Sequence, residues 1–217
     1  MTGRRGRPNP RRSVPRRAVS FFLAMFLAAA CGKMPRLIIL EDPLTAPEHL
    51  DLGVAYERSG KFDLAIREYE RALRKDKEFF QARVNLGNVW LAKEEHEKAR
   101  EEYRRALAIR PGDPEATNNL AWAAILSGGE LEDAEARMES VLSRPENRAA
   151  TLLDTLGVLR VRMGRPDAAR KAFDEAERLC LETGQPGCPE EVLREIRDHR
   201  EELRGGTLPS ETPPLVR

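Results

Sequence analysis

Residue types that hold metals or do chemistry are scarce in this chain. Its 217 residues include three histidines and three cysteines. His49, His96 and His199 lie far apart on charged segments, and no cysteine pair with zinc-ligand spacing has a histidine near it. No serine or cysteine sits in a nucleophile motif, and no glycine-rich phosphate loop appears. Neither a metal, a cofactor nor an enzymatic activity is therefore expected. Aromatics are only 6% against 34% charged residues, which suits helices with wide solvated faces better than a thick α/β core. A run of ~20 apolar residues, the length a spanning helix needs, is also missing.

Acid is absent from residues 1–30, which carry seven arginines: Arg4, Arg5, Arg7, Arg11, Arg12, Arg16 and Arg17. The near-neutral total of +1 hides this asymmetry, because the remainder holds 30 basic against 36 acidic residues, a net of −6. A mildly acidic body argues against general nucleic-acid binding, which requires basic surface to neutralise phosphates.

After Arg16-Arg17 come thirteen uncharged residues, Ala18 to Ala30, and then Cys31. A basic start, a short apolar stretch and small residues before a break are the marks of a secretory signal. The string LAAAC resembles the bacterial lipoprotein box, with Ala28 where the family usually has leucine. The resemblance implies a signal over 1–30, acylation of Cys31 and stable anchoring to a membrane, since several chains exceed the marginal affinity of one. Cleavage after Ala30 without acylation, and an uncleaved anchor, remain alternatives. The arginine pair only loosely resembles a twin-arginine signal. Residues 31–45 read as a tether, in which Leu37 to Leu40 could pack on the body or join a partner's sheet edge.

Cys180 and Cys188 flank LETGQPG, a run whose Gly184, Pro186 and Gly187 let the chain reverse. In an oxidising compartment they could pair, and closing so short a loop contributes ~2.5 kcal/mol on the chain-entropy model. Two unpaired thiols are the alternative.

A phrase recurs along the body: LGVAY from Leu52, LGNVW from Leu86 and LGVLR from Leu156, with Gly53 and Gly87 separated by 34 positions. Alanine and an aromatic follow in phase: Ala65, Tyr69 and Ala72, then Ala99, Tyr103 and Ala106, then Ala169, Phe173 and Ala176. This pattern resembles the tetratricopeptide repeat, whose period is 34 and whose unit is a helix pair. The resemblance implies an all-α solenoid of antiparallel helix pairs with units over 46–79, 80–113, 114–149 and 150–181. The third unit is weaker, with Ala121 in place of glycine and Ser127-Gly128-Gly129 lengthening a turn before Ala134 and Met138. The fourth has Arg160 where an aromatic is expected. Glycine costs ~1 kcal/mol inside a helix. We expect that cost to be offset by close packing of Gly53, Gly87 and Gly157 on the alanines twelve residues later. Val192, Leu193, Ile196 and Leu203 share one face of a final helix over 189–204, expected to cap the stack. Residues 205–217 read as a disordered tail.

Helix pairs of this kind stack into a superhelix with a concave surface suited to extended partners. The family resemblance places Leu50, Val54 and Glu57, Gln81, Asn85, Asn88 and Leu91, Asn118, Asn119, Trp122 and Ile125, and Asp154 and Val158 in that groove. Asparagine amides at 85, 88, 118 and 119 offer donors and acceptors to a peptide backbone. Trp122 is a candidate anchor for an apolar side chain, or else a filler between the third and fourth units. Carboxylate-clamp repeats carry lysine where Leu50 stands, so capture of an acidic C-terminal tail is not expected. The chain thus resembles envelope lipoproteins that bind a protein or peptide partner at a membrane and face the periplasm. The run LIILEDPLTAPEHLDLGVAYE also resembles the repeat tail following some papain-like peptidase domains, which implies an alternative role as a peptidase accessory in trans.

Overall fold

The computed structural model describes residues 42–183 and 188–206. Contacts divide the chain into two units, Met1–Pro43 and Leu44–Arg217, and the helices belong to the second. The signal, Cys31, most of the tether and the tail from residue 207 lie outside the described residues.

Nine α-helices and one short 3-10 turn, with no strand, make up the described residues. They are α1 (Ala46–Arg58), α2 (Phe62–Lys75), α3 (Phe80–Ala92), α4 (His96–Ile109), α5 (Pro114–Ser127), α6 (Leu131–Leu142), α7 (Ala150–Arg162), α8 (Pro166–Thr183) and α9 (Glu190–Gly205). Each helix packs on its successor, so the chain is an antiparallel helix-pair solenoid. The final helix runs to Gly205, one residue into the stretch expected to be disordered, and stops at Gly206 with φ 74°.

Local sequence explains where helices begin. Thr45 caps α1 in a reciprocal box: its backbone N–H donates to Glu48 Oε2 at 2.7 Å and its Oγ1 accepts from the Glu48 N–H at 3.4 Å. Asp113 caps α5 by accepting the Ala116 N–H at 3.0 Å, and Pro114 follows at the position where a missing N–H costs nothing. The turns within helix pairs pass through the left-handed region at Gly60, Gly128 and Gly164, whereas the second unit puts Glu94 there at φ 61°. An L side chain pays roughly 1 kcal/mol for that conformation. Glu94→Gly is accordingly expected to stabilise the protein by about 0.5–1 kcal/mol, read as a raised midpoint in urea with an unchanged slope.

The 34-residue period extends to buried polar contacts. Glu68 of α2 takes His49 of α1 at 2.7 Å and Arg71 at 2.8 Å. Thirty-four positions on, Glu102 takes Arg83 at 3.1 Å and Arg105 at 2.7 Å. His49 is thus a wholly buried packing residue. The third unit breaks the period through a longer turn at 128–130 and the 3-10 turn Pro145–Asn147. At the fourth unit, Arg160 replaces the aromatic by reaching back to α6, with Nε 2.9 Å from Glu135 and Nη2 2.5 Å from Glu139.

The recurring glycines do something other than the sequence suggested. A methyl added at Gly87 would meet Tyr103 Cε1 at 2.5 Å, and methyls at Gly53 and Gly157 would strike the rings of Tyr69 and Phe173. The facing group is the aromatic sixteen residues later, not the alanine at twelve. All three rings are fully buried, so the glycine is the notch into which the ring edge of the second helix fits.

Cys180 and Cys188 form a disulfide with Cα atoms 5.1 Å apart. It ties the end of α8 to the start of α9 beside Leu153, Ala176 and Ile196. Val192 and Leu193 complete that cluster, while Leu203 packs against the core of the third and fourth units. The final helix therefore covers the end of the stack.

Candidate functional site

The first helices of the pairs, α1, α3, α5 and α7, carry the positions expected to form the groove, and the structure divides them into an open half and a closed half. On the open half, Leu50, Val54, Asn85, Asn88 and Leu91 are half-buried. Leu50 and Val54 rest on the cluster around Tyr69 and Leu86, and Leu91 rests on the one around Val84 and Leu120. These apolar side chains form a floor with one side still available.

A polar network runs across that floor. Asn88 Oδ1 accepts both the Tyr103 hydroxyl at 2.8 Å and Asn119 Nδ2 at 3.0 Å, joining α3, α4 and α5. Gln81 donates to Asn85 Oδ1 at 2.9 Å, and the Tyr69 hydroxyl donates to Glu57 at 2.5 Å. Asn85 and Asn88 are thus held in place by neighbours, and Asn85 also hydrogen-bonds the Tyr69 hydroxyl. Burial pushes the Tyr103 hydroxyl pKa up, with the charges of Glu57 and Glu115 adding to it. Glu115 occupies the second position of α5, a groove position in the repeat register that was absent from the expected set.

The closed half corrects several expectations. Trp122, Ile125 and Val158 are at most 2% exposed and belong to the core shared by the third and fourth units. Trp122 is therefore the filler, not an anchor for a partner. The cause is the packing of α5 directly against α7, whereas α1 with α3 and α3 with α5 touch only slightly. Ala121 and Ala124, in the same cluster, leave room for the indole. Asn118 and Asn119 are also buried, Asn118 with Oδ1 lacking a hydrogen-bond partner among the described residues.

Asp154, expected in the groove, is buried beneath α9. Both its carboxylate oxygens lie 3.0 Å from His199 Nδ1. His199 is likewise buried, although the segment around it is highly charged. Glu195 joins them, and one ligating atom from each residue falls within 4.8 Å of the others. Burial opposes protonation of His199, but the hydrogen bond and charge of Asp154, with Glu195 and Glu202, outweigh it and hold its pKa above the usual value. Burial raises the pKa of Asp154, and His199 works against that rise. The arrangement is an ion pair that pins α9 to α7. Repeat register gave no signal for it, because α9 lies outside the repeats.

A second concavity of about 610 Å³ lies on the side of the second helices, floored by Leu73, Leu86 and Trp90. Lys98 sits over the Trp90 ring at 4.4 Å, and Glu102 on its rim is already paired with Arg83. Among the described residues, no helix is long and apolar enough to cross a membrane.

Stacked helix pairs presenting one polar-lined face along their first helices define a helical repeat scaffold of the kind that supports protein–protein interaction. The chain belongs to the tetratricopeptide-repeat family: two models described as tetratricopeptide repeat match residues 50–114 and 91–153. It is 31% identical over 144 residues to protein FlbA of Caulobacter vibrioides, covering 66% of this chain and 24% of that protein. To the general transcriptional corepressor trfA of Dictyostelium discoideum it is 29% identical over 129 residues, 57% of this chain and 9% of the relative. The chain thus spans a quarter or less of these relatives. Among solved structures, Pseudomonas aeruginosa pilF superposes with a TM-score of 0.58 at 23% identity, covering 74% of this chain and 68% of that one. PilW, described as a widely conserved type IV pilus biogenesis factor, gives 0.61 at 19% identity, covering 74% and 70%. At such identities the likeness is one of fold.

Proposed function

We propose that this chain is a non-enzymatic scaffold of a bacterial cell envelope, lipid-anchored through Cys31, facing the periplasm, and engaging an extended segment of a protein partner along α1 and α3. The observation that carries the groove reading is the network around Asn85 and Asn88. It orients carboxamide groups over an apolar floor. A peptide backbone, which needs donors and acceptors at regular intervals and buries alternate side chains, matches such a floor. The anchor reading rests on the arginine-rich start, the short apolar stretch and LAAAC ending at Cys31. A precedent for assembly work in the same fold is PilW, the type IV pilus biogenesis factor.

Two measurements test it. Cys31→Ser is expected to move the protein from the membrane to the soluble fraction, and full membrane retention would refute the lipid anchor. Gln81→Ala combined with Asn85→Ala is expected to reduce partner capture by cross-linking in intact cells at least ~10-fold while leaving the melting temperature within a few degrees. A papain-like peptidase as the dominant captured protein would instead favour the accessory role in trans.

A further inference from the structure

The final helix is held unlike the others. Of its 16 residues, Glu190–Gly205, only Ile196 and His199 are buried, and its start at Pro189 has no side-chain cap. Val192, Leu193 and Leu203 pack partly buried against neighbouring clusters. Docking also strands polar atoms: His199 Nε2 and Arg200 Nε are buried with no hydrogen-bond partner among the described residues. Each such atom opposes burial. Arg197 and Arg200 reach Glu177 of α8 from partly exposed positions, where ion pairs contribute little. Against these costs stand Ile196, the three partly buried aliphatic side chains and the Asp154–His199 pair. Non-covalent docking of α9 is therefore nearly balanced.

The covalent tie sits at the same junction. Cys180 near the end of α8 and Cys188 just before α9 are eight positions apart. Both belong to the cluster of Leu153, Ala176 and Ile196. The three clusters built by the repeats contain neither cysteine. The bridge thus spans one helix–helix connection, and breaking it removes a restraint on α9 while leaving the packing between repeat units as it is.

We propose that the Cys180–Cys188 bridge is a redox latch: oxidised, it keeps α9 closed over the fourth unit, and reduced, it lets the helix leave while the repeats stay folded. Closing moves two electrons from the two thiols to a disulfide oxidant. One cysteine thiolate attacks the oxidant's disulfide to form a mixed disulfide, the second cysteine displaces the oxidant's sulfur, and the oxidant departs as a dithiol holding both protons. A dithiol reductant reverses the exchange. Opening uncovers Leu153, Ala176 and Asp154, so the end of the stack is sealed only in the oxidised protein. Where the latch closes rests on the proposed envelope location: the chain leaves the reducing cytoplasm with α9 loose and meets its oxidant outside.

The test is amide hydrogen exchange of the full chain carrying Cys31→Ser, with and without a small-molecule dithiol. Reduction is expected to speed exchange across Glu190–Gly205 on the order of 50-fold, the effect of releasing so short a loop, with α1 to α4 unchanged. Cys180→Ala with Cys188→Ala is expected to show the same fast exchange whether or not the dithiol is present. Unchanged exchange in α9 on reduction overturns the latch. Loss of protection throughout the repeats overturns it as well, because the bridge would then staple the whole fold. Location is read separately, by alkylation of Cys180 and Cys188 on the mature protein in intact cells. Free thiols there, with a dithiol-sensitive α9 in vitro, overturn the envelope reading and leave the latch standing.

Discussion

Phe173→Ala lowers the free energy of unfolding by about 3–5 kcal/mol, the usual cost of deleting a fully buried ring, and Gly157→Ala destabilises through the same contact. The ring is wholly buried, packs in the cluster of Leu156, Leu159 and Ala169, and lies 5.9 Å from the His199 ring. An added Cβ at Gly157 would sit under 3.0 Å from three of its carbons. Gly157→Ala gains ~1 kcal/mol of helix propensity and loses roughly 1–3 kcal/mol to overpacking, so the balance is a net loss. The decisive measurement is the double-mutant cycle by urea denaturation. With Phe173 already alanine, the clash is gone and Gly157→Ala becomes neutral or stabilising, giving a coupling of roughly 1–3 kcal/mol. Strict additivity of the two changes would show that the glycine does not serve the ring.

Asp154→Ala is the second large effect. Removing one partner of a buried ion pair typically costs about 3–5 kcal/mol, because the other is left buried without its hydrogen-bonded counterion. His199 would keep Glu195 and Glu202 near it, so the damage concentrates where α9 meets α7. The helix can leave the stack before the repeats unfold, and the loss then appears as accelerated amide exchange across Glu190–Gly205 with α1 to α4 unchanged. Unaltered exchange in α9 would mean the pair does not hold it.

The same contact makes docking pH-dependent. His199 is faced by Asp154 from α7, by Glu195 and Glu202 from its own helix and by the Phe173 ring from α8. Its folded pKa is raised, so the folded state binds the proton more tightly than the unfolded chain, whose value is near 6.5. The stabilisation is fully present below that value and is lost as pH rises through the folded pKa. Burial of Asp154, which also favours the protonated form, acts in the same direction. Protection of α9 should therefore fall as pH rises above neutrality, and Asp154→Asn, which keeps the shape without the charge, should flatten the profile.

Much of the fold was legible because the repeat writes itself in small and large residues at constant spacing. The phase of Gly53, Gly87 and Gly157 against Ala65, Ala99 and Ala169 identified helix pairs. It misassigned the glycine's partner, since alignment gives the register of a position but not the reach of the ring anchored four residues beyond the alanine. The candidate site was half legible. Asn85 and Asn88 lie on the open face where the register put them, whereas Trp122 and Ile125 satisfied the same register and are buried, because the approach of α5 to α7 departs from the spacing of the earlier units. Asp154 and His199 are 45 positions apart, one inside the repeats and one outside, and no local pattern joins them.

By itself, the sequence determined the helical periodicity, the pairing of neighbouring helices and the caps at Thr45 and Asp113, all of which depend on interactions between residues close along the chain. Only the tertiary structure decided which stretch of the inner face stays open and that α9 is locked down by a buried histidine. Those outcomes depend on interhelical distances, which are set by the summed fit of many side chains rather than by the identity of any one.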